Sequence, residues 1–297
     1  MNSPKFYGGL LDSNGLNGTV DPMRLCLGLK QAALGLGVRI YENTPMLDFT
    51  AGNKTGMTAR CHGGEINSEK ILIATNAFHS KVGRLRRSIV PVWDYQLATE
   101  PLTKEQLERI GWHKNRMALS DDVNMFHYFR MTNDNRITWG GGGAIRYYFN
   151  NGIDKHYEDA QVRYEQLARE FFEMFPQLDD VKFSHRWGGI IATSTRFCMV
   201  PGVMFDGRVA WCVGYTGLGV GATRFGARIG IELLGYNPSD ILNMQFVRGR
   251  TIPWAPEPLR WLGIRFTNRA LVQADRNGGK RGWWLKLLDK LNLGFAC

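Results

Sequence analysis

The alternation of apolar and polar positions divides the chain into three textures. In the first, a helix and short strands follow one another. "TVDPMRLCLGLKQAALGLG" predicts a helix with Asp21 as its cap, Pro22 in its first turn and Gly37 closing it. "VRIYE" (38–42) follows as a predicted strand. "MLDFTA", "GMTARCHG" and "GEINSEK" alternate and are separated by glycine and asparagine, which predicts a small antiparallel meander. "ILIATNAF" (71–78) is apolar at both parities, the pattern of a strand buried on both faces.

From Pro91 to about Pro201 strand-like segments dominate: "VPVWDYQLATE", "MFHYFRMT", "RITWGGGG" and "VKFSHRWGGIIATS". One helix interrupts them, "YEDAQVRYEQLAREFFEMF". Its Tyr164, Leu167, Ala168, Phe171 and Phe175 share a face, and Pro176 stops it. The first texture returns at "RVAWCVGY" (208–215), which leads into a glycine-rich turn and another predicted helix. After Arg250, "PWAPEP" breaks regular structure and two basic amphipathic segments end the chain.

Composition narrows the picture. With 297 residues, 44% hydrophobic and 12% aromatic, the chain can bury a substantial core, and disorder is excluded. Its first residues, "MNSPKFYGGL", lack the basic start and apolar run of a signal peptide, and no apolar run approaches the roughly 20 residues of a membrane span. Cys26, Cys61, Cys198, Cys212 and Cys297 show no paired spacing. Reduced thiols in a cytoplasmic protein, with no metal site, are the expectation. Nothing points to nucleic acid.

The formal charge of +10 is concentrated near the end, with ten bases against three acids (Glu257, Asp275 and Asp289) from Arg248 onward. In "RGWWLKLLDKLNLGF", Trp283, Trp284, Leu287, Leu288 and Leu291 fall near one face with Lys286 and Lys290 beside it. Such a helix caps the protein's own core or associates weakly with an anionic surface.

The candidate chemistry lies in "GYTGLGVGATRFGARIGIELLG". Glycines between a strand and a helix let the backbone turn sharply and let a flat ligand approach. The helix that follows aims free N–H groups and partial positive charge at that ligand. Gly217, Gly219 and Ala222 match the nucleotide-binding pattern G-x-G-x-x-A. That pattern works with a second strand ending in Asp or Glu about 20 residues on, and the sequence there is "GYNPSDILNM". A separate NAD site and a turn without ligand stand as alternatives.

Taken in order, "GGLLDSNGLNGTVDPMRLCLGLKQAALGLGVRIYENTPM", "ILIATNAF", "RITWGGGG", "HRWGGII" and the late glycine turn resemble the FAD-dependent amine oxidoreductases of the D-amino-acid oxidase superfamily, which includes glycine and sarcosine oxidases. The resemblance runs closest to the branch containing gamma-glutamylputrescine oxidoreductase. It implies an α/β plus α+β fold: a Rossmann-like FAD-binding domain (1–90 and 205–247) with an inserted antiparallel-sheet substrate domain (91–204), followed by a basic C-terminal cap (248–297). It also implies that the late turn lies under the isoalloxazine ring, contacted by Tyr215, Thr216, Gly217, Leu218, Gly219, Val220 and Gly221, mostly through backbone. Met46 and the Ala74, Thr75, Asn76, Ala77 turn would flank the adenosine side, and Gly188 would join the cofactor contacts.

The family pattern opens with a G-x-G-x-x-G unit of roughly 30 residues and a ribose-binding acid, and neither occurs in this sequence. The expected FAD-binding domain is therefore truncated, with exposed sheet edges and apolar surface. The rival expectation is a non-catalytic remnant that binds a partner. Relatives hold a substrate carboxylate with an arginine in W-x-G-x-R-P; here Ile191 stands at that arginine, which favours a small polyamine-like or secondary amine. His185 and Trp187 are the candidates for chemistry, against a structural role for the histidine. Gly140–Gly143 either makes room for a flavin edge or substrate, or forms a bulged strand end.

Overall fold

The computed structural model describes residues 1–12, 18–52, 56–78, 82–83, 85–113, 116–291 and 293. Cys297 lies outside them. In chain order the strands and α-helices are α1 (Pro22–Gly35), β1 (Met46–Ala51), β2 (Met57–Cys61), β3 (Gly64–Ser68), β4 (Ile71–Ile73), α2 (Leu85–Ser88), β5 (Ile89–Thr99), α3 (Lys104–Arg109), β6 (Ala118–Ser120), β7 (His127–Met131), β8 (Ile137–Gly141), α4 (Gln161–Met174), β9 (Phe183–Ser194), β10 (Val200–Met204), β11 (Val209–Val213), α5 (Gly219–Leu233), α6 (Gln245–Arg248), α7 (Leu259–Arg276) and α8 (Trp283–Lys290). The fold is mixed α/β with antiparallel sheets. Its residues form two compact units, one of 1–20, 91–190 and 257–290, the other of 21–90, 191–256 and 291–297.

The first unit is built on a five-stranded sheet of order β6-β7-β8-β5-β9. Alternation assigns its two faces. Trp93, Tyr95 and Leu97 of β5, Phe129 of β7 and Trp139 of β8 point to one side. There they meet Tyr164, Leu167 and Phe171, the apolar face of α4 that the helical spacing predicts. Edge-to-face ring pairs such as Trp139–Phe171 (5.7 Å) and Tyr95–Tyr164 (5.5 Å) fill this core, each contributing about 0.5–1.5 kcal/mol beyond its buried area. Residues 1–6 also belong here: the Asn2 N–H donates to Ile110 O (2.7 Å) and the Ser3 hydroxyl to Met174 O (2.5 Å). At the other end of the chain, Leu271, Ala274 and Leu285 form a small buried cluster that Trp284, Leu288 and Met125 pack against.

In the second unit, the Asp21 carboxylate accepts from the Arg24 N–H (3.0 Å), and Gly37, at φ +83°, follows the end of α1. The meander forms as β1-β2-β3. Two expectations are corrected. Residues 38–41 form no strand; Val38, Ile40 and Tyr41 are exposed, and no strand among the described residues completes a ladder with them. The strand expected to be buried on both faces shrinks to β4, an outer member of the three-stranded sheet β10-β11-β4, with Leu72 exposed. The reason is the same in both cases: apolar composition buries a strand only where a layer exists to cover it. Helix α1 likewise buries none of its side chains.

Candidate functional site

Parallel pairing decides what comes together in the second unit. β4 and β11 lie side by side in the same direction, with Ile73 opposite Trp211. The turns that leave them, 74–77 and 214–218, therefore emerge at the same end of the sheet. The carboxyl ends of parallel strands are where α/β sheets hold their ligands.

The second of these turns is held by its own backbone. All five residues of β11 are buried. Gly214 (φ +78°) begins the turn, where a Cβ would come within 2.7 Å of Ile89 Cγ2. Thr216 (φ +51°) and Gly217 (φ +88°) continue it in the left-handed region. The Thr216 N–H donates to Ala192 O (3.1 Å) and its hydroxyl to Gly214 O (3.2 Å), which offsets the roughly 1–2 kcal/mol that a β-branched residue costs there. Tyr215 lies along α5 because Gly226 has no side chain to obstruct its hydroxyl. That hydroxyl donates to Cys212 O (3.1 Å). Burial raises the Tyr215 phenol well above its ordinary range and pushes the Cys212 thiol up to about 11.

Beyond Gly214 the turn opens. At Gly217 a Cβ would find only Ile191 Cδ1, 3.9 Å away, and at Gly221 nothing within 4 Å. Leu218, the N-cap of α5, makes no side-chain cap to the N–H groups of the helix's first turn. Leu218 and Val220 are exposed. On the β4 side, Asn76 adopts φ +48°, the Phe78 N–H donates to Thr75 O (2.9 Å), and Ala77 is buried while Ala74 and Thr75 are exposed. Met46 begins β1 at a register shift and is half-buried. Open Cβ directions, an uncapped helix tip and small residues suit a flat, electron-rich ring.

The other candidates lie on the first unit's sheet. Arg186 of β9 stacks over Tyr164 and reaches Gln161, so it and Gly188 face α4; a Cβ at Gly188 would meet the Tyr95 ring at 3.2 Å. His185 and Trp187 alternate to the opposite, exposed face. Among the described residues His185 pairs with its neighbour, the Ser184 hydroxyl (2.9 Å to Nδ1). Gly140–Gly143 holds no open slot. Side chains at these positions would run into Gln96, Phe126 O, His127, Glu170 and Gln166, so the strand end is filled by the protein itself.

Sequence reasoning missed two polar groups here. Asp94 is buried on β5; its carboxylate accepts from the Tyr128 hydroxyl and the Tyr95 N–H (2.8 Å), while Gln96 donates to the Tyr128 oxygen (2.8 Å). Burial raises the Asp94 carboxyl above the usual carboxylate range, against the lowering effect of those donors. Its signal in the sequence is a lone acid inside the apolar strand "VPVWDYQLAT". The second group is His127, whose Nδ1 lies 2.8 Å from Asp121 and Nε2 2.9 Å from Glu170, with its ring stacked on Trp139 at 4.5 Å. Burial pulls its pKa down, but bonds and charge from both carboxylates outweigh that and bring it to about 9. Among the described residues no cluster of three or more His, Cys, Asp or Glu can hold a metal ion.

A mixed α/β fold with a glycine turn and helix tip at the carboxyl ends of parallel strands defines a nucleotide- or flavin-dependent protein class. Residues 1–233 match the DAO family, FAD-dependent oxidoreductase, and the chain belongs to that family. It is similar to the probable oxidoreductase OrdL of Haemophilus influenzae (29% identity over 79% of this chain and 51% of that one). It is similar too to the gamma-glutamylputrescine oxidoreductase of Escherichia coli (28%, covering 78% and 51%). The fold superimposes on glycine oxidase from Geobacillus kaustophilus (TM-score 0.60, 17% identity, 77% of this chain and 58% of that one) and on L-proline dehydrogenase from P. horikoshii (0.60, 17%, 76% and 59%). The chain thus spans about half the length of the curated relatives it matches. FAD is the cofactor of this family.

Proposed function

We propose that the turn Tyr215–Gly221 seats the isoalloxazine ring of FAD, and that the chain serves the oxidation of a small amine. The observation carrying this reading is the uncapped tip of α5 beside glycines whose Cβ directions are open. In this reading Met46 and Ala74–Ala77 flank the adenosine side, and residues 91–204 are a substrate domain inserted between the flavin-binding segments 1–90 and 205–247.

When bound, FAD supplies a two-electron acceptor for the hydride on the carbon beside the amine nitrogen. The residues of this chain do the rest. N–H groups of Gly219, Val220 and Gly221 would hold the flavin ring at the positive end of α5, which favours negative charge there by about 0.3–1 kcal/mol when exposed and up to about 2 when partly buried. Ile191, whose Cδ1 lies 3.9 Å from the Cβ direction of Gly217, gives the turn an apolar flank at the position where the family resemblance expects a carboxylate-clamping arginine. That supports a polyamine-like or secondary amine over an α-amino acid held at this position. Trp187 and His185, on the first unit's sheet, remain the candidates for chemistry.

The test is spectroscopic. Purified protein incubated with FAD and passed through a desalting column is expected to keep the flavin's visible absorbance. An amine added without oxygen is expected to bleach it, and Trp187→Ala to slow the bleaching more than it alters retention. A colourless protein after reconstitution overturns the proposal.

A further inference from the structure

The α7–α8 hairpin has two faces. One is spent inward: Leu271, Ala274 and Leu285 are buried, and the Trp284 indole N–H donates to the Thr267 hydroxyl (3.0 Å). The other is an apolar ridge left in solvent. On α7 it consists of Leu259, Leu262 and Phe266, at i, i+3 and i+7; on α8, of Trp283 (70% exposed) and Leu287, at i and i+4. Phe266 and Trp283 join the two halves, with ring centroids 6.2 Å apart.

Charge around this ridge names its partner. Arg265, Arg269, Arg276, Lys280, Lys286 and Lys290 are all exposed. The two acids of the hairpin are already engaged. Asp275 accepts from the Asn124 N–H (2.8 Å), the Asn124 amide (2.6 Å) and the Met125 N–H (3.1 Å), and Asp289 pairs with Arg281 (2.8 Å). The Arg265 guanidinium also lies 4.9 Å from the Trp261 ring centre. Apolar and aromatic side chains flanked by bases that form no ion pair among the described residues suit the boundary between anionic headgroups and acyl chains. Helix α1, equally exposed and apolar, carries only Arg24 and Lys30 and has no such belt. No helix among the described residues is long and apolar enough to cross a membrane, so attachment would be to the surface.

We propose that the α7–α8 ridge docks onto an anionic phospholipid bilayer, Trp283 and Leu287 entering the interface and Arg269, Lys286 and Lys290 pairing with headgroups. This does not depend on the flavin assignment, and its test reads vesicle binding whether or not flavin is present.

The experiment is co-sedimentation of the full chain with vesicles of phosphatidylcholine alone and of phosphatidylcholine mixed with phosphatidylglycerol. Binding is expected on the anionic vesicles only and is expected to weaken with salt. Lys286→Gln with Lys290→Gln is expected to reduce partitioning by about fivefold per charge removed. Trp283→Ala with Leu287→Ala is expected to reduce it by tenfold or more, on the order of the loss for two interfacial apolar side chains. All four side chains are exposed, and unchanged circular dichroism in each variant checks the fold. Absence of vesicle binding overturns the proposal. So does binding that ignores the Trp283/Leu287 pair, which would mark plain charge attraction. A concentration-dependent dimer abolished by Trp283→Ala, without vesicle binding, would assign the ridge to a second copy and also overturn it.

Discussion

Two glycine-rich stretches look alike in the sequence and do opposite things. In "RITWGGGG", Gly140 leaves space for Gln96, Gly141 for Phe126 O, and Gly142 and Gly143 for His127, Glu170 and Gln166. In "GYTGLGVGA", the Cβ direction of Gly217 meets only Ile191 Cδ1 at 3.9 Å and that of Gly221 meets nothing within 4 Å among the described residues. The first run closes a strand end around a charged histidine; the second keeps a helix tip accessible. A missing Cβ records a close approach, and only the surroundings tell whether the approaching group belongs to the protein or to a ligand.

Mutations break this comparison most sharply at Gly142. Gly142→Ala places a methyl group against His127 and Glu170 at φ +62°. It is expected to cost about 2–4 kcal/mol, read as a lower urea midpoint.

The next effect in size comes from pH. The folded pKa of His127, about 9, lies above the roughly 6.5 of an unfolded histidine. Its contribution is therefore complete below pH 6.5 and is lost as pH rises through 9. Unfolding free energy is expected to fall by about 3 kcal/mol across that window, and His127→Gln to flatten the slope. An unchanged slope would mean the Asp121–His127–Glu170 bridge does not form in solution.

Smallest, and opposite in sign, is Gly221→Ala. This position lies in the first turn of α5 with open space beyond it. Alanine is expected to raise the thermal midpoint by the equivalent of about 0.5–1 kcal/mol while weakening flavin retention. Loss of stability here would show that the space is not open.

Much of the fold is legible where local chemistry suffices. The Asp21–Pro22 start of α1, the meander and the inward face of α4 all follow from caps, turns and periodicity. The strand expected at 38–42 and the two-sided burial expected for 71–78 are not decided locally, because burial of a strand is a property of its neighbours. Seating the 74–77 and 214–218 turns at one end of a sheet required the β4–β11 pairing, which no local pattern shows. Gly140–Gly143 stayed ambiguous because its fillers come from β5, β7 and α4. Asp94 and Tyr128, 34 residues apart, meet only through sheet register.

The most direct test of the central claim is a titration of the purified chain with FAD, followed by quenching of flavin fluorescence, beside Gly221→Val and the matched Gly28→Val, a helical glycine of α1 whose Cβ direction is equally open. Saturable binding by the wild-type chain and Gly28→Val, lost in Gly221→Val with its secondary structure intact, is the predicted result. Binding that survives in Gly221→Val, or no binding by any of the three, would contradict it.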